Sequence, residues 1–238
     1  MPNEFERIIQ KASDVMENPK LLYRYEDIIL GVPVRISNGK YENMWAVSPS
    51  TWRAFREIDS PSEIYKGIMI KNKNIVIASL NNAKSVEDIN IIENKLYDII
   101  LKELKNANRN QYSSILDSYN RIRKPIDLYI EHIVLMSKEL DKERKDIIPL
   151  LYLPLDSWIF NSNLIFSLEE LYGVGLDRSS QYGMLNNETD YIKLQEILSK
   201  RVSFIAKQIN EKFSRIFLDL FWSDRYKRSG TNLFETNK

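Results

Sequence analysis

Cysteine is absent from this chain of 238 residues, and histidine occurs once, at position 132. The first absence removes disulfides, thiolate zinc sites and iron–sulfur clusters held by cysteine. The second leaves His132 unable to build a histidine-rich metal site, so neither a metal nor another cofactor is expected. Long apolar runs are missing as well, since none approaches the roughly 20 residues that a membrane-spanning helix needs. The segment Met1 to Lys20 is polar and mixed in charge, so it does not read as a signal peptide. A cytoplasmic monomer without membrane contact is the expectation. A strong charge of one sign is lacking too: 34 Lys and Arg face 33 Asp and Glu, for a net charge of +1. Any affinity for nucleic acid would have to come from local basic clusters, not from the field of the whole molecule.

What remains is an ordinary globular composition, 43% apolar and 28% charged, with length enough for one large domain or two small ones. Phe5, Ile8, Ile9, Ala12 and Val15 fall on one face of a helix over about 3–17. Between Tyr25 and Leu80 the β-branched runs Ile28 to Leu30, Val32 to Ile36, Trp45 to Val47 and Gly67 to Leu80 predict a small antiparallel sheet. Its hairpins fall at Asn38-Gly39 and at Asn72 to Asn74, with a short helix over Thr51 to Glu57. From Ser85 onward apolar residues recur at three and four (Val86, Ile89, Ile92, Leu96, Ile99, Ile100, Leu104), and Ser85 with Asp88 makes a capping box. Further helices are predicted at about 111–120, 125–139, 156–172, 188–212 and 214–225. The fold class is α+β, mostly α: a β-containing part over 1–84, a helical domain over 85–228 and a flexible tail over 229–238.

The stretch from Tyr112 to Phe160 carries the chemistry. A helix over Tyr112 to Tyr119 runs into a basic turn, Asn120-Arg121-Ile122-Arg123-Lys124, that contains no glycine. Pro125, favoured as a first helical residue, then opens a helix over Ile126 to Met136. Downstream, an apolar run from Ile147 to Leu153 leads to Pro154-Leu155-Asp156-Ser157-Trp158-Ile159-Phe160, where Asp156 occupies an N-cap position. Lys124 and Asp156 are 32 positions apart.

This pattern resembles the helix-hairpin-helix DNA glycosylases, most closely the archaeal 8-oxoguanine glycosylase/AP lyase branch. In that family a lysine opens the second helix of the hairpin, and an aspartate follows, after a long interval in this branch, in a Pro-Val-Asp-like segment that starts a later helix. Ile216-Phe217-Leu218-Asp219-Leu220-Phe221-Trp222, followed by Arg225, is similar to the branch's closing helix. The likeness covers roughly residues 110–228. It implies Lys124 as the nucleophile that attacks the sugar C1′ and forms a Schiff base, with neighbouring cations such as Arg121 and Arg123 helping to free its amine. Asp156 would stabilise the developing positive charge and assist proton transfer. Asn120, Arg121 and Arg123 would contact DNA phosphates. Trp158, Phe217, Phe221 and Trp222 are candidates to line a pocket for a flipped base. The implied partner is double-stranded DNA with a damaged base.

Each residue also has a plainer reading. Lys124 could be a solvated turn residue, Asp156 only a cap, and Arg121 and Arg123 surface charges. Trp158 and Trp222 fit core positions, and His132 fits a buried, hydrogen-bonded histidine better than a catalytic one. Leu171 to Leu176, with Gly173 and Gly175, looks like a hairpin turn but reads as the loop ending the helix begun at Asp156. Two other functions stay open: a DNA-binding or assembly protein that keeps the fold without the chemistry, and the same enzyme class acting on another base.

Overall fold

The computed structural model of the chain describes residues 4–19, 21–35, 41–110 and 114–225. At Ser85 the expected capping box is present: the hydroxyl accepts from the amide of Asp88 at 3.2 Å, and the Asp88 carboxylate accepts from the amide of Ser85 at 2.9 Å. Two donors that a helix start leaves orphaned are thereby satisfied, and α5 runs from there over Val86–Asn106. Its stripe of Ile89, Ile92, Leu96, Ile100 and Leu104 is buried against α3 (Pro61–Lys71), α4 (Lys73–Asn82) and α6 (Tyr119–Met136).

Helix α6 is the centre of the molecule, with every residue from Ile122 to Met136 buried. The remaining elements wrap it. α1 (Glu4–Ala12) passes through a π-type turn (Ser13–Glu17), and α2 (Tyr25–Leu30) leads into the strands β1 (Val32–Arg35) and β2 (Tyr41–Met44). After α6 come α7 (Arg144–Ile147), α8 (Ser157–Asn161), α9 (Leu168–Tyr172), α10 (Glu188–Ile209) and a closing 3-10 segment, Arg215–Arg225. The two ends of the described chain meet: the Phe5 ring stands edge-on to Phe213 and to Phe221, each at 5.8 Å. One apolar cluster extends from Ile8 to Leu220, so the sequence on both sides of position 85 shares a core.

Several local expectations are corrected. The sheet among the described residues is one antiparallel pair of strands in which Val32 pairs with Met44 and Arg35 with Tyr41; the turn expected at Asn38-Gly39 lies outside the described residues. Ile28 to Leu30 belong to α2, and Trp45 to Val47 form a loop after β2. The short helix expected at Thr51 is a 3-10 segment, Pro49–Phe55, capped by Ser48. Gly67 to Leu80 is helical, and Asn72 breaks α3 from α4 by donating its side-chain amide to the Ile68 carbonyl at 2.8 Å. Tyr65, Ile68, Met69, Val76 and Leu80 are buried there, and packing on α5 overrides the β propensity of the run.

The basic turn is also corrected. Of the helix expected before it, residues 111–113 lie outside the description and Ser114–Leu116 form a 3-10 turn. The Ser118 hydroxyl accepts from the amide of Arg121, so α6 starts at Tyr119 and continues through Asn120 to Lys124 with Pro125 in its interior. No hairpin interrupts it. Past Met136 a 3-10 turn, Lys138–Leu140, replaces the last helical turn expected. Finally, 156–172 is two short helices, and Gly173 to Leu176 close α9: the amide of Leu176 donates to the Leu171 carbonyl, and Gly175 takes a φ of +71°, a value that glycine adopts without strain.

Candidate active site

Asp156 is the N-cap of α8, its Oδ1 accepting from the amides of Trp158 at 3.0 Å and Ile159 at 3.2 Å. That leaves Oδ2 turned toward Lys124, whose Nζ lies 3.5 Å away, with only 10% of the lysine side chain and 6% of the aspartate's exposed. The separation is long for a hydrogen bond and within the roughly 4 Å reach of an ion pair. A lysine from the interior of α6 and a carboxylate 32 residues later thus converge in a nearly dry setting.

The approach is fixed by the segment before Asp156. Asn120, wholly buried one turn ahead of Lys124, donates its side-chain amide to the Leu155 carbonyl at 3.0 Å and to the Tyr182 carbonyl at 2.9 Å. Two residues earlier, the Gln195 amide of α10 accepts from the Leu153 N–H at 3.2 Å and donates to the Leu153 carbonyl at 2.7 Å. An extended, buried segment has no ladder to satisfy its backbone, and these two side chains do so. The second Asn120 contact brings in Tyr182, in the 3-10 turn Tyr182–Met184. Its ring centroid is 4.4 Å from Lys124 Nζ, within cation–π range. Burial pushes the Tyr182 phenol up to about 12, with Arg121 opposing and Asp156 adding to the shift. Arg121 is half-buried, donating to the Ile115 carbonyl at 2.7 Å and lying against Gly183, where a Cβ would meet its guanidinium at 2.7 Å.

Behind Lys124, Arg123 turns the other way into a closed polar cluster. It pairs with Glu93 of α5 and, at 2.7 Å, with Asp127, and donates to Asn94 at 2.7 Å and the Tyr119 hydroxyl at 2.8 Å. The Tyr191 hydroxyl donates to the other Asp127 oxygen at 2.8 Å. Burial pushes the Glu93 and Asp127 carboxyls up, against the pull of the Arg123 guanidinium they share.

Lys124, Asp156 and Arg121 are therefore grouped, while the other phosphate candidates are not available. Asn120 and Arg123 are wholly buried and internally bonded, so neither meets a ligand, and Arg123 spends its charge on Glu93 and Asp127 instead of on Lys124. Of the base-pocket candidates, Trp158 is 67% exposed at the second residue of α8, beside Asp156, and is no core residue. Phe217 packs on Phe213 at 5.7 Å and borders an open groove with Ile9 of α1 and Ala206 of α10; Phe221 packs on Phe5. Their neighbours are the chain ends. The side chains of Trp222 and Arg225 lie outside the described residues, as does everything from 226 onward. His132 is buried with Nδ1 at 2.7 Å from the Leu128 carbonyl, as its ordinary reading requires. Tyr182 was not legible: a Gln-Tyr-Gly-Met stretch far along the chain carries no local sign of facing a lysine.

Among the described residues no cluster of His, Asp and Glu has the makings of a metal site, and no helix is long and apolar enough to cross a membrane. Comparison of the chain with protein-family models, with curated proteins and with solved structures finds no match.

Proposed function

We propose that the chain is a DNA glycosylase with AP-lyase chemistry acting on an oxidised purine such as 8-oxoguanine, with Lys124 as nucleophile. The observation that carries this reading is the pair itself, Lys124 Nζ at 3.5 Å from the Oδ2 of a helix-capping Asp156, both nearly buried and joined only through the fold. A buried ion pair is weak evidence of stabilisation, and buried charge partners concentrate at reactive sites.

The chemistry divides between the two. For attack the ammonium must lose its proton, and Asp156 Oδ2 is within reach of it. The amine nitrogen then bonds to C1′ as the bond from C1′ to the base nitrogen breaks, and the electron pair leaves with the base, which takes up a proton. Positive charge develops on the sugar as this happens. Asp156, held by two backbone amides, offers a fixed negative charge against it. Opening of the sugar ring gives the Schiff base, and loss of a C2′ proton expels the 3′ phosphate. The exposed Trp158, two residues after Asp156, and the half-buried Arg121, one turn before Lys124, are the groups offered to a DNA strand.

The reading is tested by incubating the protein with duplex DNA holding a single 8-oxoguanine and following base release and strand nicking. Asp156→Asn is expected to lower the rate by about 10²-fold or more. No release of this or any other damaged base by the native protein would contradict it. The continuity of α6 favours a second reading, a DNA-binding protein without turnover, because no hairpin presents backbone amides to a phosphate. It predicts duplex binding that is unchanged in Lys124→Gln.

A further inference from the structure

A cavity lies apart from the Lys124–Asp156 pair, and none of its lining residues belongs to that pair. It opens between α2, the loop after β2, the 3-10 segment, α3 and α6, and is bordered by Ile29, Trp45, Trp52, Ser62, Lys66 and Tyr129. Tyr129 and Ile122, whose carbonyl accepts from the α3 residue Tyr65, are seven positions apart and share a face of α6. Lys124 is two positions from Ile122 and points to the opposite side.

Native interiors hold few voids, and the walls of this one are fixed from outside it. Gly31 adopts a φ of +107°, and a Cβ there would come within 2.6 Å of the Trp45 ring, so the indole rests directly on glycine backbone. Its other neighbour is the Lys66 ammonium, 4.8 Å from the ring centroid. The Trp52 indole is held by Tyr65 at 5.1 Å and Phe55 at 5.9 Å. Two indoles anchored by different elements therefore border one space, with Lys66, Ser62 and Tyr129 as the residues that bring polar groups to it. Apolar walls with a few convergent donors are the make-up of small-molecule sites.

Size and charge narrow the occupant. The cavity measures about 120 Å³ and is open to solvent on one side; an enclosed dry cavity of roughly 150 Å³ accepts one benzene ring, so one ring seats between the walls with its substituent at the opening. Indole faces select a flat ring over a puckered one, because offset stacking adds to area burial. The Lys66 ammonium only donates and so favours an acceptor, an anionic one best, while the Ser62 and Tyr129 hydroxyls adapt to either role. Lys66, itself largely buried, now pairs at 3.0 Å with Glu63, whose side chain is 69% exposed; a ligand carboxylate would take the place of Glu63, which is free to turn into solvent.

We propose that this cavity binds a monocyclic aromatic compound carrying a carboxylate or a comparable anionic group, independently of the Lys124 site. The test titrates the full chain with benzoate by ligand-observed NMR, with cyclohexanecarboxylate as the puckered control. Saturable benzoate binding is expected, with the control about fivefold weaker. Lys66→Met is expected to weaken benzoate about fivefold or more, Lys66→Arg to retain it, and Trp45→Leu to weaken it about tenfold. Lys124→Gln leaves it intact, which separates this proposal from the glycosylase reading. Should Trp45→Leu fail to fold, the two Lys66 variants decide. Absence of binding, equal binding of the control, indifference to Lys66→Met, or loss in Lys124→Gln would each overturn the proposal.

Discussion

Lys124 brings an ammonium into a helix with no exposed residue from Ile122 onward, and it is met there by a carboxylate and an aromatic face. Asp156 serves two purposes with two oxygens: Oδ1 caps α8 and Oδ2 faces the lysine. The cap was legible in the sequence, because its partners lie two and three residues away. The neighbours of Lys124 were not. Asn120 and Arg123 look like surface residues in a polar run, and they are buried because Leu155, Tyr182, Glu93 and Asp127 supply partners, all but the last from remote parts of the chain. Trp158 erred in the other direction, an aromatic suited to a core that stands in solvent. Its exposure separates function from stability. Trp158→Ala should change the unfolding free energy by less than about 0.5 kcal/mol yet weaken binding to damaged duplex severalfold. Chemical denaturation and a DNA-binding titration on the same sample check both halves, and unchanged DNA affinity would remove Trp158 from the site.

Elements position this site through an irregular segment. Leu153 to Leu155 run buried between α6 and α10, tied by Gln195 on one side and Asn120 on the other. Gln195→Leu keeps the bulk and deletes both hydrogen bonds, leaving the N–H and carbonyl of Leu153 buried without them. A loss of about 2–4 kcal/mol is expected, measured by urea denaturation; a loss under about 1 kcal/mol would mean that the segment finds other partners. Helices with a clear stripe and a local cap, α5 above all, were legible because both signals are short-range. The run Gly67 to Leu80 was not, since β-branched apolar residues suit a half-buried strand and a buried helix alike, and only packing on α5 decides. Nor was the continuity of α6: Pro125 reads as a helix start because an interior proline forgoes a hydrogen bond and costs about 3 kcal/mol, yet here burial on all sides carries the helix through it.

At the scale of the whole molecule, two sets of carboxyls act in opposite directions. Glu26 and Glu139 are held below the usual range, Glu26 chiefly by the hydrogen bond from Lys73; at Glu139, burial opposes Lys73 and the Tyr25 amide and is outweighed. Their stabilisation is present above the ordinary carboxylate pKa and is lost as pH falls through their lowered values. Glu93 and Asp127 are raised by burial, so the folded chain binds protons that the unfolded chain has released. Stability therefore falls as pH rises from the ordinary carboxylate range through their raised values. A melting temperature that peaks on the acid side of neutrality, near pH ~5–6, is expected, and a higher melting temperature at pH 8 than at pH 5.5 would contradict the buried cluster described around Arg123.

Lys124 and Asp156 are proposed to act as a reactive pair. Borohydride trapping on duplex DNA containing 8-oxoguanine, and on the same duplex with an abasic site, tests it most directly. A covalent protein–DNA adduct is expected with the native chain, none with Lys124→Gln, and a much slower one from 8-oxoguanine with Asp156→Asn. No adduct on either duplex, or an adduct that survives Lys124→Gln, would contradict it.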